Sequence, residues 1–291
     1  MTLSKFEYYG PSTIEEACGL LEEMGAGTML MAGGTDLLVK INRMLVAPRV
    51  VIGLKKIEGL DRISFGPSKG LTIGATALLA HVAAHAKIRK YYPAVAEAAK
   101  ETANVQVRNM GTVVGNLCNG APSAENAPTL IALGGQAVLV SRRGTRRLPL
   151  DQFFKGPGIT AIEPGEIMTA VTVPPPSAGS GASYRHISPR GKVDISAVCV
   201  GVLLILSGQT CKEVRIALGA VAPIPMRAVE AEKMLVGKKV SRKLMQMAGL
   251  KASEESKPIS DMRASAEYRK KMVAVLTERA LTEAHERALK G

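Results

Sequence analysis

Two short stretches combine bare backbone with a hydroxyl: Ala32-Gly-Gly-Thr-Asp36 and Gly111-Thr-Val-Val-Gly-Asn116. Glycine loses more conformational freedom on folding than any other residue, so an adjacent pair marks a positive φ or a close approach. The approach can be to another segment, which makes the stretch a tight turn, or to a ligand. Glycines that expose amide N–H groups beside a threonine hydroxyl suit a diphosphate. The first loop also runs into a helical segment, whose N-terminal end favours an anion. Each loop alone is compatible with a turn in an apolar protein. Two of them in one α/β region suggest two loops gripping one dinucleotide. On that reading a valine at Gly34 fills space that the diphosphate needs, and costs ligand binding more than folding.

Other chemistry is sparse. His81 and His85 stand i, i+4 and could share a helix face, but no third ligand accompanies them, which favours a surface or capping role. Cys18, Cys118, Cys199 and Cys211 are scattered without a C-x-x-C spacing, so clustered zinc or iron–sulfur ligation is not expected. Reduced thiols follow, with Cys118, in a Gly/Asn-rich loop, the one placed to approach a ligand. Ser123 lacks the context of a nucleophile elbow, and no Walker A motif or strand-borne G-x-G-x-x-G is present. No catalytic residue and no metal ligand is expected in the chain.

The elements that position the two loops read as follows. Ser12 or Thr13 caps a helix carrying Glu15 and Glu16 in its first turn and ending at Gly25. A strand over 28–31, the Gly-Gly turn, a helix over 36–45 and a strand over 49–52 make a small α/β unit. A second unit has strands at 62–65 and 71–74, helices at 78–85 and 94–102, a long loop over 108–128, a helix at 129–133, a hairpin at 136–149 and a strand at 166–173. Pro174-Pro-Pro-Ser-Ala-Gly-Ser-Gly181 is a compositional break and the best linker. Beyond it, 195–222 reads as an antiparallel meander and 228–291 as helical, with a long amphipathic segment over 268–289. The fold class is therefore α+β. A two-lobed domain of small α/β units spans 1–174 (lobes about 1–55 and 56–174), and a sheet-and-helix domain spans 180–291.

Composition narrows the partners. With 46% hydrophobic residues, 3% aromatic residues and no tryptophan, the core must be aliphatic and methionine-filled. The net charge of +13 raises nucleic-acid binding. The basic residues, however, sit at an apparent hairpin tip, Arg142-Arg-Gly-Thr-Arg-Arg147, and in glutamate-interleaved C-terminal helices, with no aromatic stacking platform. An acidic protein partner or an anionic ligand explains the charge at least as well. The longest apolar run, 195–206, is shorter than the ~20 residues of a membrane span, and the N-terminus has no apolar signal region. A cytoplasmic protein is expected.

The order Ala32-Gly-Gly-Thr-Asp-Leu37, Ile73-Gly-Ala-Thr76, Arg108-Asn-Met-Gly-Thr-Val-Val-Gly-Asn116, Ala121-Pro-Ser-Ala-Glu-Asn-Ala-Pro128 and Gly165-Glu-Ile-Met-Thr-Ala-Val-Thr-Val-Pro174 resembles the FAD-binding medium subunit of the molybdenum hydroxylases. These are the xanthine dehydrogenase and aerobic-type carbon monoxide dehydrogenase enzymes. Ser265-Ala-Glu-Tyr-Arg-Lys-Lys-Met resembles the end of that subunit, so the likeness runs through the whole chain. The resemblance implies that Ala32, Gly33, Gly34, Thr35, Asp36 and Leu37, with Thr112, Gly115 and Asn116, wrap the FAD diphosphate. It implies that Glu125 lies near the adenosine side, that Ala161 and Ile162 lie against the isoalloxazine, and that Lys192 and Asp194 contact the flavin. It also implies a large molybdopterin-binding subunit, a small [2Fe–2S] subunit, and an external electron acceptor such as NAD. The segment 119–125 leans toward xanthine-dehydrogenase-type subunits and a purine or N-heterocycle substrate. A carbon monoxide dehydrogenase-type subunit, a stand-alone flavin oxidoreductase and a basic nucleic-acid-binding module are the alternatives.

Overall fold

A computed structural model describes residues 5–191 and 195–290 of the chain. The chain runs through β1 (Glu7–Tyr9), α1 (Ile14–Met24), β2 (Thr28–Met31), α2 (Leu37–Asn42) and β3 (Val50–Gly53). The Thr13 hydroxyl accepts the Glu16 N–H at 3.1 Å, while the Glu16 carboxylate accepts the Ser12 N–H at 2.8 Å, so α1 starts with a reciprocal cap. β3 pairs in parallel with β1 on one side and β2 on the other. All four of its residues are buried, as expected of a central parallel strand whose sequence is continuously apolar. β1 has only three residues, Glu7-Tyr-Tyr9, too few to show alternation, and was not expected.

After β3 follow β4 (Ile63–Gly66), β5 (Gly70–Gly74), α3 (Leu79–Ala84), α4 (Ala86–Tyr91) and α5 (Pro93–Glu101). Next come α6 (Val105–Arg108), α7 (Val113–Cys118) and α8 (Asn126–Ala132), then β6 (Gln136–Ser141), β7 (Gly144–Pro149), β8 (Phe154–Gly156), β9 (Ile159–Thr160) and β10 (Ile167–Val173). β4-β5-β10-β6-β7 form one antiparallel sheet. The stretch 108–128, expected to be a loop, instead holds the whole of α7 and the first turn of α8. The glycines and asparagines that suggested a loop sit at helix ends and inside one-turn helices. His85 is extended and separates α3 from α4, so His81 and His85 do not share a helix face.

The chain then runs through β11 (Ser180–Ile187), β12 (Val198–Ser207), β13 (Thr210–Gly219) and β14 (Met226–Arg227), an antiparallel sheet in sequence order. α9 (Val229–Leu235), α10 (Arg242–Glu255) and α11 (Ala266–Lys290) complete it. Leu276, Leu281 and Ala284 of α11 join Val200, Val202 and Leu204 in its core. This unit presses directly onto the cleft-bearing part of the chain. A Cβ at Gly201 of β12 would lie 2.6 Å from Thr129 N and Pro128 C, so only glycine permits that contact with α8. Across the same seam Arg287 of α11 pairs with Glu97 of α5. Within the unit, Arg269 of α11 donates to the carbonyls of Ala197 and Ala220 beside the sheet. No helix among the described residues is long and apolar enough to cross a membrane.

Candidate dinucleotide cleft

The two glycines at the end of β2 have different jobs. Gly34 has φ 78°, a conformation that costs an L side chain, and its carbonyl accepts the Leu38 N–H at 3.0 Å. The helical turn thus begins at Thr35, and the N–H groups of Thr35, Asp36 and Leu37 have no acceptor within the helix. Gly33 meets the second loop: a Cβ there would fall on the carbonyl oxygen of Met110 and lie 2.8 Å from Gly111 Cα. A Cβ at Gly111 would in turn lie 3.3 Å from Thr35 Oγ1. Backbone-to-backbone contact therefore sets the starts of α2 and α7 side by side.

At the start of α7 the Thr112 Oγ1 accepts the Gly115 N–H at 2.9 Å, and a Cβ at Gly115 would stand 2.9 Å from that oxygen. Thr112 is thus an N-cap that also lines the cleft, and Gly115 makes room for the cap. Asn116 turns its Oδ1 to the Asn126 side chain at 3.1 Å, which orients its amide and ties α7 to α8. Asn126 Oδ1 is buried without a partner among the described residues.

These segments wall a cleft of about 850 Å³, within the usual range for ligand sites. Ala32, Gly33, Gly34, Thr35, Asp36, Leu37, Thr112, Gly115, Asn116, Glu125 and Ile162 all line it. Ala161 does not. Its N–H donates to Phe153 O at 2.7 Å and its carbonyl accepts from Arg146 at 2.8 Å, so it supports the rim that Ile162 presents. Lys192 and Asp194 lie outside the described residues. Sequence reasoning missed Lys40, Thr28 and Glu166 in the lining, and Arg146 behind it. Arg146 belongs to β7 and is no hairpin tip: it grips Glu166 through Nε and a second nitrogen, and that carboxylate also accepts the Glu163 N–H at 2.7 Å. Together they close the 161–166 turn onto the cleft.

The charged groups of the cleft are shaped by burial. Glu125 is 8% exposed, and burial pushes its carboxyl up to about 7, reinforced by nearby Asp36 and opposed by hydrogen bonds with Ser196. Burial also raises Asp36, with Lys40 pulling the other way. The Cys118 thiol is pushed up to about 12 by burial, so it is protonated and a poor nucleophile. Hydrogen bonds from Arg146 hold Glu166 below the usual carboxylate range. Among the described residues no three His, Cys, Asp or Glu side chains are grouped to hold a metal. What converges on the cleft is a pair of helix starts, a protonated-or-charged carboxyl and apolar walls, which suits binding a long anionic ligand.

Residues 4–176 match the family described as the FAD binding domain in molybdopterin dehydrogenase, and residues 182–284 match the CO dehydrogenase flavoprotein C-terminal domain. The chain belongs to this family of flavoprotein subunits. It is 32% identical to the carbon monoxide dehydrogenase medium chain of Hydrogenophaga pseudoflava over 96% of this chain and 97% of that one. It is 28% identical to the putative xanthine dehydrogenase FAD-binding subunit of Escherichia coli K12, covering 95% of each. A solved carbon monoxide dehydrogenase from H. pseudoflava superposes with a TM-score of 0.94 at 33% identity, covering 99% of both chains. The flavoprotein subunit's own geometry agrees with FAD. The Gly33–Gly111 contact leaves two amide-lined helix starts side by side at the cleft, where an L side chain at Gly33 could not be accommodated.

Proposed function

We propose that this flavoprotein subunit carries electrons within a molybdenum hydroxylase complex, from [2Fe–2S] clusters on a small partner to an external acceptor. The observation that carries this reading is the junction of the α2 and α7 starts over one cleft. The amides of Thr35, Asp36 and Leu37, with the Thr112 hydroxyl, would hold the FAD diphosphate. Glu125 would face the adenosine side, and Ile162, on the turn closed by Arg146 and Glu166, would lie against the isoalloxazine. Bound FAD supplies the redox chemistry, and the chain binds, orients and electrically tunes it. Lys192 and Asp194 are assigned to the flavin by resemblance alone. Residues 1–174 would form the FAD-binding domain and 180–291 the second domain, and the four unpaired cysteines fit a reducing, cytoplasmic compartment.

Substrate oxidation would take place on a large molybdopterin-binding partner. The segment 119–125 favours a purine or N-heterocycle, and the xanthine dehydrogenase relative supports that class. The carbon monoxide dehydrogenase relative, at slightly higher identity, supports the alternative. NAD is the acceptor to try first.

The purified chain should hold one FAD that acid precipitation releases completely, and should oxidise neither purine, aldehyde nor carbon monoxide. Adding the two partner subunits should restore turnover. Yellow colour left on the precipitate contradicts non-covalent binding. Substrate-dependent acceptor reduction by the chain alone, with partners excluded by mass spectrometry, would establish a stand-alone oxidoreductase. A colourless protein with salt-dependent oligonucleotide affinity would establish a nucleic-acid module.

A further inference from the structure

We propose that Lys40 is the ligand-facing cation of the cleft and that it meets the phosphate-bearing part of the dinucleotide. The inference rests on the FAD reading above. Among the described residues that line the cleft, Lys40 is the single lysine or arginine, set among the carboxylates of Asp36, Glu125, Glu163 and Glu166. Arg146 already neutralises Glu166. Lys40 acts on Asp36, whose carboxyl burial raises and this cation lowers, and a diphosphate bound beside the Thr35 turn would add negative charge close to it.

The position of Lys40 suits that task. It follows Asp36 by four residues, so the two share one face of the helical turn. Side chains on a helix lean toward its N-terminus, so a rotation of the flexible Lys40 stem can bring its ammonium back toward the start at Thr35. The rise from Thr35 to Lys40 is about 7.5 Å at ~1.5 Å per residue, a span that a leaning lysine stem covers. The ammonium donates to Asn119 Oδ1 at 2.6 Å, at the far end of α7. An amide oxygen is a neutral acceptor, and a phosphate oxygen forms the stronger, charge-assisted bond. Asn119 itself lines the cleft, so the ammonium it accepts from lies within that lining, where a phosphate oxygen could take its place.

The rival explanation is a strut: the Lys40–Asn119 bond holds α2 against α7 and touches no ligand. Titrations of the flavin-free chain with FAD, ADP and riboflavin, on wild type, Lys40→Met, Lys40→Arg and Asn119→Leu, separate the two. A phosphate contact predicts that Lys40→Met weakens FAD and ADP by about ten- to a hundredfold and leaves riboflavin, which has no phosphate, unchanged. Lys40→Arg should recover most of the loss, Asn119→Leu should keep most of the affinity, and added salt should narrow the gap between wild type and Lys40→Met. Equal losses in Lys40→Met and Asn119→Leu would establish the strut. A loss shared by riboflavin, or no loss at all, would also overturn the proposal. A wild-type chain that binds neither FAD nor ADP overturns the FAD reading itself, whereas a wild type that binds FAD and a Lys40→Met that matches it overturns the Lys40 assignment alone.

Discussion

Gly33→Val should yield a chain that carries almost no FAD and is less stable than wild type. The first Cβ atom of the new side chain would occupy the position of the Met110 carbonyl oxygen. Backbone cannot rotate away as a flexible side chain can, so the two loops must part. Overpacking of this kind costs about 1–3 kcal/mol or more, and parting the loops also separates the two helix starts that make the anion site. Loss of several charge-assisted bonds, each ~1.5–3 kcal/mol, lowers affinity by orders of magnitude. Gly34→Val tests the neighbouring glycine by a different mechanism. Its Cβ would face Met31 Sδ at 3.1 Å and Leu38 Cδ1 at 3.4 Å, not open cleft, and φ 78° is unfavourable for a β-branched residue. From the sequence, this valine costs ligand binding more than folding; the structure adds that strain of about 1–3 kcal/mol falls on the turn itself. Flavin absorbance per chain and urea melts of the flavin-free proteins measure both variants. Full flavin content in Gly33→Val would show that the loops can separate without harm and that the cradle is elsewhere.

The contrast between these glycines shows what was legible in the sequence. A Gly-Gly pair announces that side chains are not tolerated, but not whether a ligand, a second loop or a positive φ is responsible. Here the second loop accounts for Gly33 and the positive φ for Gly34, and the ligand site arises because those two demands bring α2 and α7 together. α1, β2 and the β6–β7 hairpin were readable because capping, apolar runs and turn residues all agree there. The stretch 108–128 was misread because α7 is a single turn and a half, stabilised by Thr112 and by packing of Val113, Val114 and Leu117 into the core rather than by propensity. Arg146 was hidden in a run of like residues. Only the pairing of β7 with β6, and the arrival of Glu166 before β10, reveals that it anchors the rim. Lys40 carries no motif at all, and its place in the cleft is visible only once the fold surrounds it.

The carboxyl of Glu125 gives the flavin-free protein an expected pH dependence of stability. Its unfolded-state value is near 4.5, and burial in the cleft raises the folded-state value to about 7. For an acid raised by folding, the folded state holds the proton more tightly than the unfolded chain. The contribution to stability is therefore present below about 4.5 and is lost as pH rises through about 7. The difference corresponds to something on the order of 3 kcal/mol at alkaline pH. Glu125→Gln keeps the shape and removes the charge, so it should stabilise the flavin-free chain by about that amount at pH 8 and hardly at all at pH 4.5. A glutamine would nevertheless lose the anionic acceptor that the adenosine-side assignment requires, so FAD should bind the variant more weakly at pH 8. Opposite signs for folding and for binding are the signature of a residue kept in the cleft for its ligand at a cost in stability. Urea melts at the two pH values, with FAD titrations alongside, measure both quantities. A stability gap that does not change with pH would mean that Glu125 is not the buried titrating group. Tighter FAD binding in Glu125→Gln would mean that the carboxylate repels the ligand instead of receiving it.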